Sequence, residues 1–211
     1  MDERTTVSTA LLWAVLLGLT ITLSALAATD GTLPGDRGIA SWMQDISFPG
    51  ESLADAVRSI TSTPVVLAAG GALALLLWLR GYRLEALAFA AGLIILPLLQ
   101  SGIKEIVDRP RPSPDLVEIR ASFSSPSFPA GHVMSPTYVY GFLIYISASL
   151  PLPAPLRAPL ATATAAVLAL SGPANVWLGV HWPSDVLGGY AWGAALLLPV
   201  LAACRLFGRH P

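Results

Sequence analysis

With 211 residues, 54% of them hydrophobic and 12% charged, the chain carries about half the charge of an ordinary soluble domain, which is near 25%. Its net charge of −1 leaves no basic footprint for nucleic acid, and its single cysteine excludes an intrachain disulfide. A mean hydropathy of +0.65 and several long uncharged intervals predict an all-α, polytopic membrane bundle of about six transmembrane helices, each needing about 20 apolar residues.

In chain order, the first span is Val7–Ala28. Ala25-Leu26-Ala27 also has the small-x-small form of a cleavage site, so residues 1–27 read as a signal peptide or as a retained anchor. The length of the run and the weakly basic start Met1-Asp2-Glu3-Arg4 favour the anchor. Residues 29–61 are too polar to span. Trp42, Met43, Ile46 and Phe48, then Leu53, Val57 and Ile60, are interspersed with acids and glycines. That pattern fits short helices lying in the membrane interface, and a plain extracytoplasmic loop fits it equally.

Five more spans follow: Ser62–Leu79, Leu84–Ile103, His132–Leu150, Pro155–Asn175 and Ser184–Cys204. Pro97, Pro173 and Pro199 are tolerable inside them, because neighbouring helices take up the freed backbone groups. Cys204 reads as a small packing residue. No internal repeat supports an inverted-repeat transporter. The chain is expected to form one membrane domain, with five spans over 62–205 and a short tail at 206–211.

Lysine and arginine placement sets orientation. With the N-terminus inside, Arg4, Arg80, Arg83, Arg157, Arg205 and Arg209 are cytoplasmic, while Arg37, Arg58, Lys104, Arg109, Arg111 and Arg120 are outside. The tie breaks in favour of N-in, C-in once the tight cluster Lys104–Arg111 is set aside as functional. Two spans separate that cluster from His181, so both emerge on one face, together with His132.

Three short stretches on that face carry chemistry. In "KEIVDRPRP", Lys104–Pro112, two arginines each precede a proline that fixes the backbone. Guanidinium forks suit phosphate oxygens, although an isolated basic residue at a helix end also snorkels. In "SFPAGHV", a turn delivers His132 to the start of an apolar helix, where free N–H groups favour anions. In "VHWPSD", Pro183 suits a first helical turn. His181 and Asp185, four apart, then face each other, and the carboxylate fixes the imidazole tautomer. Three histidines, without ligand spacing, argue against a metal site.

Together, Lys104-x6-Arg111-Pro112, Pro129-Ala130-Gly131-His132 and His181-x3-Asp185 resemble the three-part signature of the type 2 phosphatidic acid phosphatase superfamily. The resemblance covers roughly residues 60–205. It implies metal-independent hydrolysis of a lipid phosphate or diphosphate at the extracytoplasmic face of a bacterial inner membrane, with no cofactor. His181 would be the nucleophile that forms a phosphohistidine, Asp185 its orienting partner and His132 the general acid. Lys104, Arg111 and the Gly131 N–H would hold phosphate, assisted by Asn175.

Two positions depart from the pattern. Ala130 stands where the family has Ser, and Ala174-Asn175 where it has Ser-Arg. Losing one preorganised donor of this kind costs around 10²–10³ in rate. Arg109 is the candidate substitute for the missing guanidinium. The departures keep a second reading open, a member that binds or moves a phosphorylated lipid without turnover. Polyprenyl diphosphate, phosphatidate, phosphatidylglycerol phosphate and lipid A phosphates all present the group that this signature recognises.

Overall fold

The computed structural model describes residues 3–29, 31–46, 50–151 and 153–208, and their regular structure is entirely helical. The helices are α1 (Glu3–Thr29), α2 (Asp36–Asp45), α3 (Glu51–Ile60), α4 (Thr63–Leu79), α5 (Arg83–Val107), α6 (Gly131–Ser149), α7 (Ala154–Trp177) and α8 (Pro183–Phe207). The six expected spans coincide with α1, α4, α5, α6, α7 and α8 to within a few residues. Phe48, Arg209 and His210 lie outside the described residues, and for Arg4 only the backbone is described.

Hydropathy does not follow that coincidence throughout. Among the described residues, four helices are long and apolar enough to cross a membrane: α5, α7, α8 and the Thr9–Thr29 portion of α1. Helix α4, with 17 residues, qualifies only jointly with α3, across a bend of 47°. Helix α6 does not qualify, because it carries Ser135, Pro136, Thr137 and Ser147 along its 19 residues. The reason is its position. It packs against α4, α5, α7 and α8, with Val133, Met134, Tyr138 and Phe142 fully buried. A helix surrounded by protein has no lipid to satisfy, so its sequence is free to be less apolar.

The polar segment after α1 folds into α2 and α3, as the helical reading of 29–61 expects. Ala54 and Val57 of α3 pack under Trp177, Leu178 and Val180, whereas Trp42 and Ile60 stay exposed. Gln44 of α2 ties this segment down. Its amide donates to the carbonyls of Glu118 (2.8 Å) and Trp177 (3.1 Å) and accepts from the Glu118 N–H.

The seam that matters most for the site joins α8 to α6. A Cβ at Gly189 would lie 2.8 Å from the carbonyl oxygen of Ala130, and one at Gly193 would lie 2.6 Å from Thr137 Cβ. Only the absence of side chains allows the helices to come this close. Their first turns, carrying His132 and Asp185, are thereby held together.

Candidate active site

The site is built at the end of the bundle where α5 and α7 finish and α6 and α8 begin. Helix α5 stops at Asp108, which adopts a left-handed conformation (φ 43°) open to Asp and Asn but uncommon otherwise. Pro110 and Pro112 then prevent resumption of the helix and fix the strand-like presentation of Arg109 and Arg111. The turn before His181 contains Gly179 at φ 68°, where a Cβ would meet the Glu118 carbonyl oxygen at 2.1 Å. Pro183 opens α8 in its first turn.

His181 is buried, 2% exposed. Its Nδ1 lies 3.7 Å from Asp185 Oδ2 and 3.5 Å from Ser127 Oγ. Its Nε2 lies 3.4 Å from Nη1 of Arg111. A guanidinium has only protons to offer, so this contact leaves a lone pair on Nε2 and the ring proton on Nδ1, facing Asp185. Burial pushes the imidazole down to about 4. Asp185 pulls the other way, while Arg111 and Lys104 add to the lowering. The ring is therefore neutral at pH 7.

Asp185 is completely buried and heavily bonded. Oδ2 accepts the N–H of Trp182 at 2.8 Å, the carboxylate half of a capping box at the start of α8, and also the Ser127 hydroxyl. Oδ1 accepts from Arg109 Nη1 at 2.6 Å. One side chain thus caps the helix and faces the imidazole.

Arg109, the candidate substitute for the missing guanidinium, points instead into a buried ion network. It is 1% exposed, and its fork bridges two carboxylates: Asp185 through Nη1, and Asp36 of α2 through Nη2 at 2.7 Å. Nη1 also donates to Ser184 Oγ at 2.7 Å. Asp36 accepts the Ser184 N–H and hydroxyl (2.9 and 2.7 Å) and the Leu33 N–H (2.8 Å). Arg109 consequently holds Asp185 in place; its terminal nitrogens are committed to protein groups.

The other two cations line the approach to His181. Arg111 donates to the Val180 carbonyl (2.6 Å) and, through Nε, to the Ser125 carbonyl (2.7 Å). Burial lowers its guanidinium to about 10, so it stays charged. Lys104 donates to the Pro126 carbonyl. His132, second residue of α6, is within electrostatic reach of His181, Arg111, Lys104 and Arg58. Its ring tilts against Phe123, with centroids 5.7 Å apart. The N–H groups of Gly131 and His132 precede the first helical acceptors, as at any helix start.

The structure thus gathers His132, His181, Asp185, Lys104 and Arg111 at one end, with Gly131 in the α6 first turn. Asn175 stands apart from them. It is fully buried on α7, and its amide nitrogen donates to the Ser171 carbonyl of its own helix at 2.7 Å. One N–H of the amide expected to serve phosphate is engaged inside α7, and the amide oxygen has no partner. Ala130 is buried with Ala40, Val133, Val176 and Trp182, an apolar setting that suits its methyl group. Sequence reasoning missed Asp36, Ser127 and Ser184. The one available signal was the surplus charge of Arg109, which required a buried partner. Among the described residues, no three of His, Cys, Asp and Glu form a group able to hold a metal ion.

These features define a class: a multi-pass helical membrane protein with a neutral histidine, a buried carboxylate and two cations at one end of the bundle. The chain belongs to the PAP2 superfamily, whose family model matches residues 85–207. It is 34% identical over 104 residues to phosphatidylglycerophosphatase B of Bacillus subtilis, covering 49% of this chain and half of that relative. It is 32% identical over 167 residues to decaprenylphosphoryl-5-phosphoribose phosphatase of Mycolicibacterium smegmatis, covering 79% of each. The fold matches a crystal structure of a transmembrane PAP2-type phosphatidylglycerolphosphate phosphatase from Bacillus subtilis, with a TM-score of 0.73 and 24% identity. That match covers 93% of this chain and 98% of the other.

Proposed function

We infer that the chain hydrolyses a lipid phosphate without a metal, through a phosphohistidine at His181. The observation that carries this reading is the orientation of the His181 ring, with Nδ1 toward Asp185 and Nε2 toward Arg111. A neutral imidazole so held presents a lone pair beside a permanent cation, which is where a phosphoryl group binds.

In the first step, Nε2 forms a bond to phosphorus as the bond to the lipid oxygen breaks. His132 gives its proton to the departing oxygen. Asp185 stabilises the charge that develops on His181. In the second step, water loses a proton to His132 and attacks phosphorus, the P–N bond breaks, and inorganic phosphate leaves. Lys104, Arg111 and the first-turn N–H groups of α6 offset negative charge on the equatorial oxygens throughout.

We place the site on the extracytoplasmic face of a bacterial inner membrane. The lysine and arginine count supports this orientation once the Lys104–Arg111 cluster, which lies at the candidate site, is set aside. The whole chain is read as one membrane domain, with residues 62–205 as its catalytic core.

Phosphate release from a panel of lipid phosphates in detergent, with EDTA present, tests the reading. The wild type is expected to release phosphate, and His181→Ala to fall at least about 10³-fold. Acid-labile phosphate is expected on His181 during turnover. A wild type that binds these lipids but releases no more phosphate than His181→Ala would favour the binding or translocating protein instead.

A further inference from the structure

The two departures from the signature leave the site short of donors. Ala130 has no hydroxyl to offer, one N–H of Asn175 is engaged within α7, and the fork of Arg109 is committed to two carboxylates. A phosphoryl group in transfer still has three equatorial oxygens to satisfy. One polar side chain outside the three motifs faces the same place.

Gln100 lies on α5 one helical turn before Lys104, so the two side chains share a face. Its carboxamide is held by α6. Oε1 accepts from the Ser135 hydroxyl at 3.2 Å, and the oxygen of Ser135 lies 3.1 Å from the Thr63 hydroxyl of α4. Since Ser135 gives its single proton to Gln100, it accepts from Thr63. Thr137 and Ser147 of α6 bond back to carbonyls of their own helix, a common habit of helical hydroxyls. Ser135 reaches across to α5 instead, and fixes which way the amide of Gln100 faces.

The other end of that amide points at the site. A Cβ at Gly131 would lie 2.6 Å from Nε2 of Gln100 and 3.4 Å from Oε1, so only the lack of a side chain at Gly131 admits the amide. Gly131 and Ser135 are one turn apart on α6. An amide with its oxygen on Ser135 and its nitrogen on Gly131 runs along α6 toward the N-terminus, where the N–H groups of Gly131 and His132 emerge. Gln100 is only partly buried, and its Nε2 has no acceptor among the described residues. A carboxamide also donates without adding a further positive charge beside Lys104 and Arg111.

We propose that Gln100 is a further phosphate-binding residue, whose Nε2 donates to an equatorial oxygen of the phosphoryl group held between Lys104 and the first turn of α6. The proposal rests on the phosphatase reading above and adds to it a catalytic residue on α5, with Ser135 as its positioning residue.

The test uses the full-length protein in detergent, a lipid phosphate that the wild type hydrolyses, and inorganic vanadate as a mimic of five-coordinate phosphorus. Gln100→Met keeps the bulk and removes the donor. It is expected to lower kcat about 10²-fold, the scale of one preorganised donor, and to weaken vanadate inhibition by a similar factor. Gln100→Glu keeps an acceptor for Ser135, and with it the tie between α5 and α6, but turns a carboxylate toward the phosphoryl group. It is expected to lose at least as much as Gln100→Met. Ser135→Ala, which only lets the amide turn, is expected to lose about fivefold, the worth of one neutral hydrogen bond. Vanadate inhibition constants are read on folded molecules alone, so a lowered yield leaves the comparison intact. Wild-type kcat and vanadate affinity in Gln100→Met overturn the proposal and leave the phosphatase standing. So does a Gln100→Glu more active than Gln100→Met, which would make Gln100 a helix tie only. No release by the wild type from any lipid phosphate overturns both.

Discussion

Helices α1 and α6 lie in the same bundle and are written in opposite styles. Helix α1 turns Leu11, Leu12, Val15 and Leu19 outward, each more than half exposed. Helix α6 carries serines, a threonine and a proline on a largely buried surface. Hydropathy thus reports which helix meets lipid, and it weakens where protein replaces lipid as the surrounding solvent. The residues proposed to act in chemistry are found at the enclosed end, close to α6, where polar groups have protein partners.

If that contrast is right, sensitivity to substitution should fall from the enclosed network outward. The largest loss is expected for Arg109→Ala, which leaves Asp36 and Asp185 buried beside each other without a cation. Breaking a buried ion pair costs about 3–5 kcal/mol. Thermal unfolding in detergent measures it, and adding Asp36→Asn should recover part of the loss. Equal stability of the single and double variants would mean the carboxylates do not oppose each other.

The helix seam comes next. Gly189→Val drives a side chain into the Ala130 carbonyl and Val133, and overpacking of this kind costs about 1–3 kcal/mol. Phosphate release should fall with it, since the first turns of α6 and α8 would separate. An unchanged melt would show that the seam yields.

The acid limb of kcat/KM tests the enclosure of His181 itself. Its neutral form is the reactive one, and burial holds the free protein's imidazole near 4. Activity should therefore persist as pH falls through 6.5, where an ordinary histidine protonates, and decline only toward about 4. A limb at 6.5 would mean that water reaches the ring. The smallest effect belongs to α1. Leu12→Ala, on a residue 70% exposed, should shift stability by less than about 0.5 kcal/mol.

The sequence made the spans legible because uncharged runs are local features, and five of the site residues fall in short motifs. Asp36 was not legible. It lies 148 residues before Ser184, its bonding partner, and nothing near it in the chain marks it as a ligand of Arg109. Asn175 illustrates a different limit. Its position in the motif suggests a donor for phosphate, but an amide is short enough to bond within its own helix, where the longer guanidinium would reach out.

The Asp36–Arg109–Asp185 bridge also sets an order of events during biosynthesis. Asp36 leaves the ribosome early and Asp185 late, with five helices made between them. Until α8 is inserted, Asp36 lacks Ser184, Arg109 lacks one of its two carboxylates, and Asp185 does not yet exist. The ion network therefore closes only on a finished chain, so a nascent protein arrested before α8 holds an incomplete charge cluster and a premature stop is chemically distinct from a completed fold.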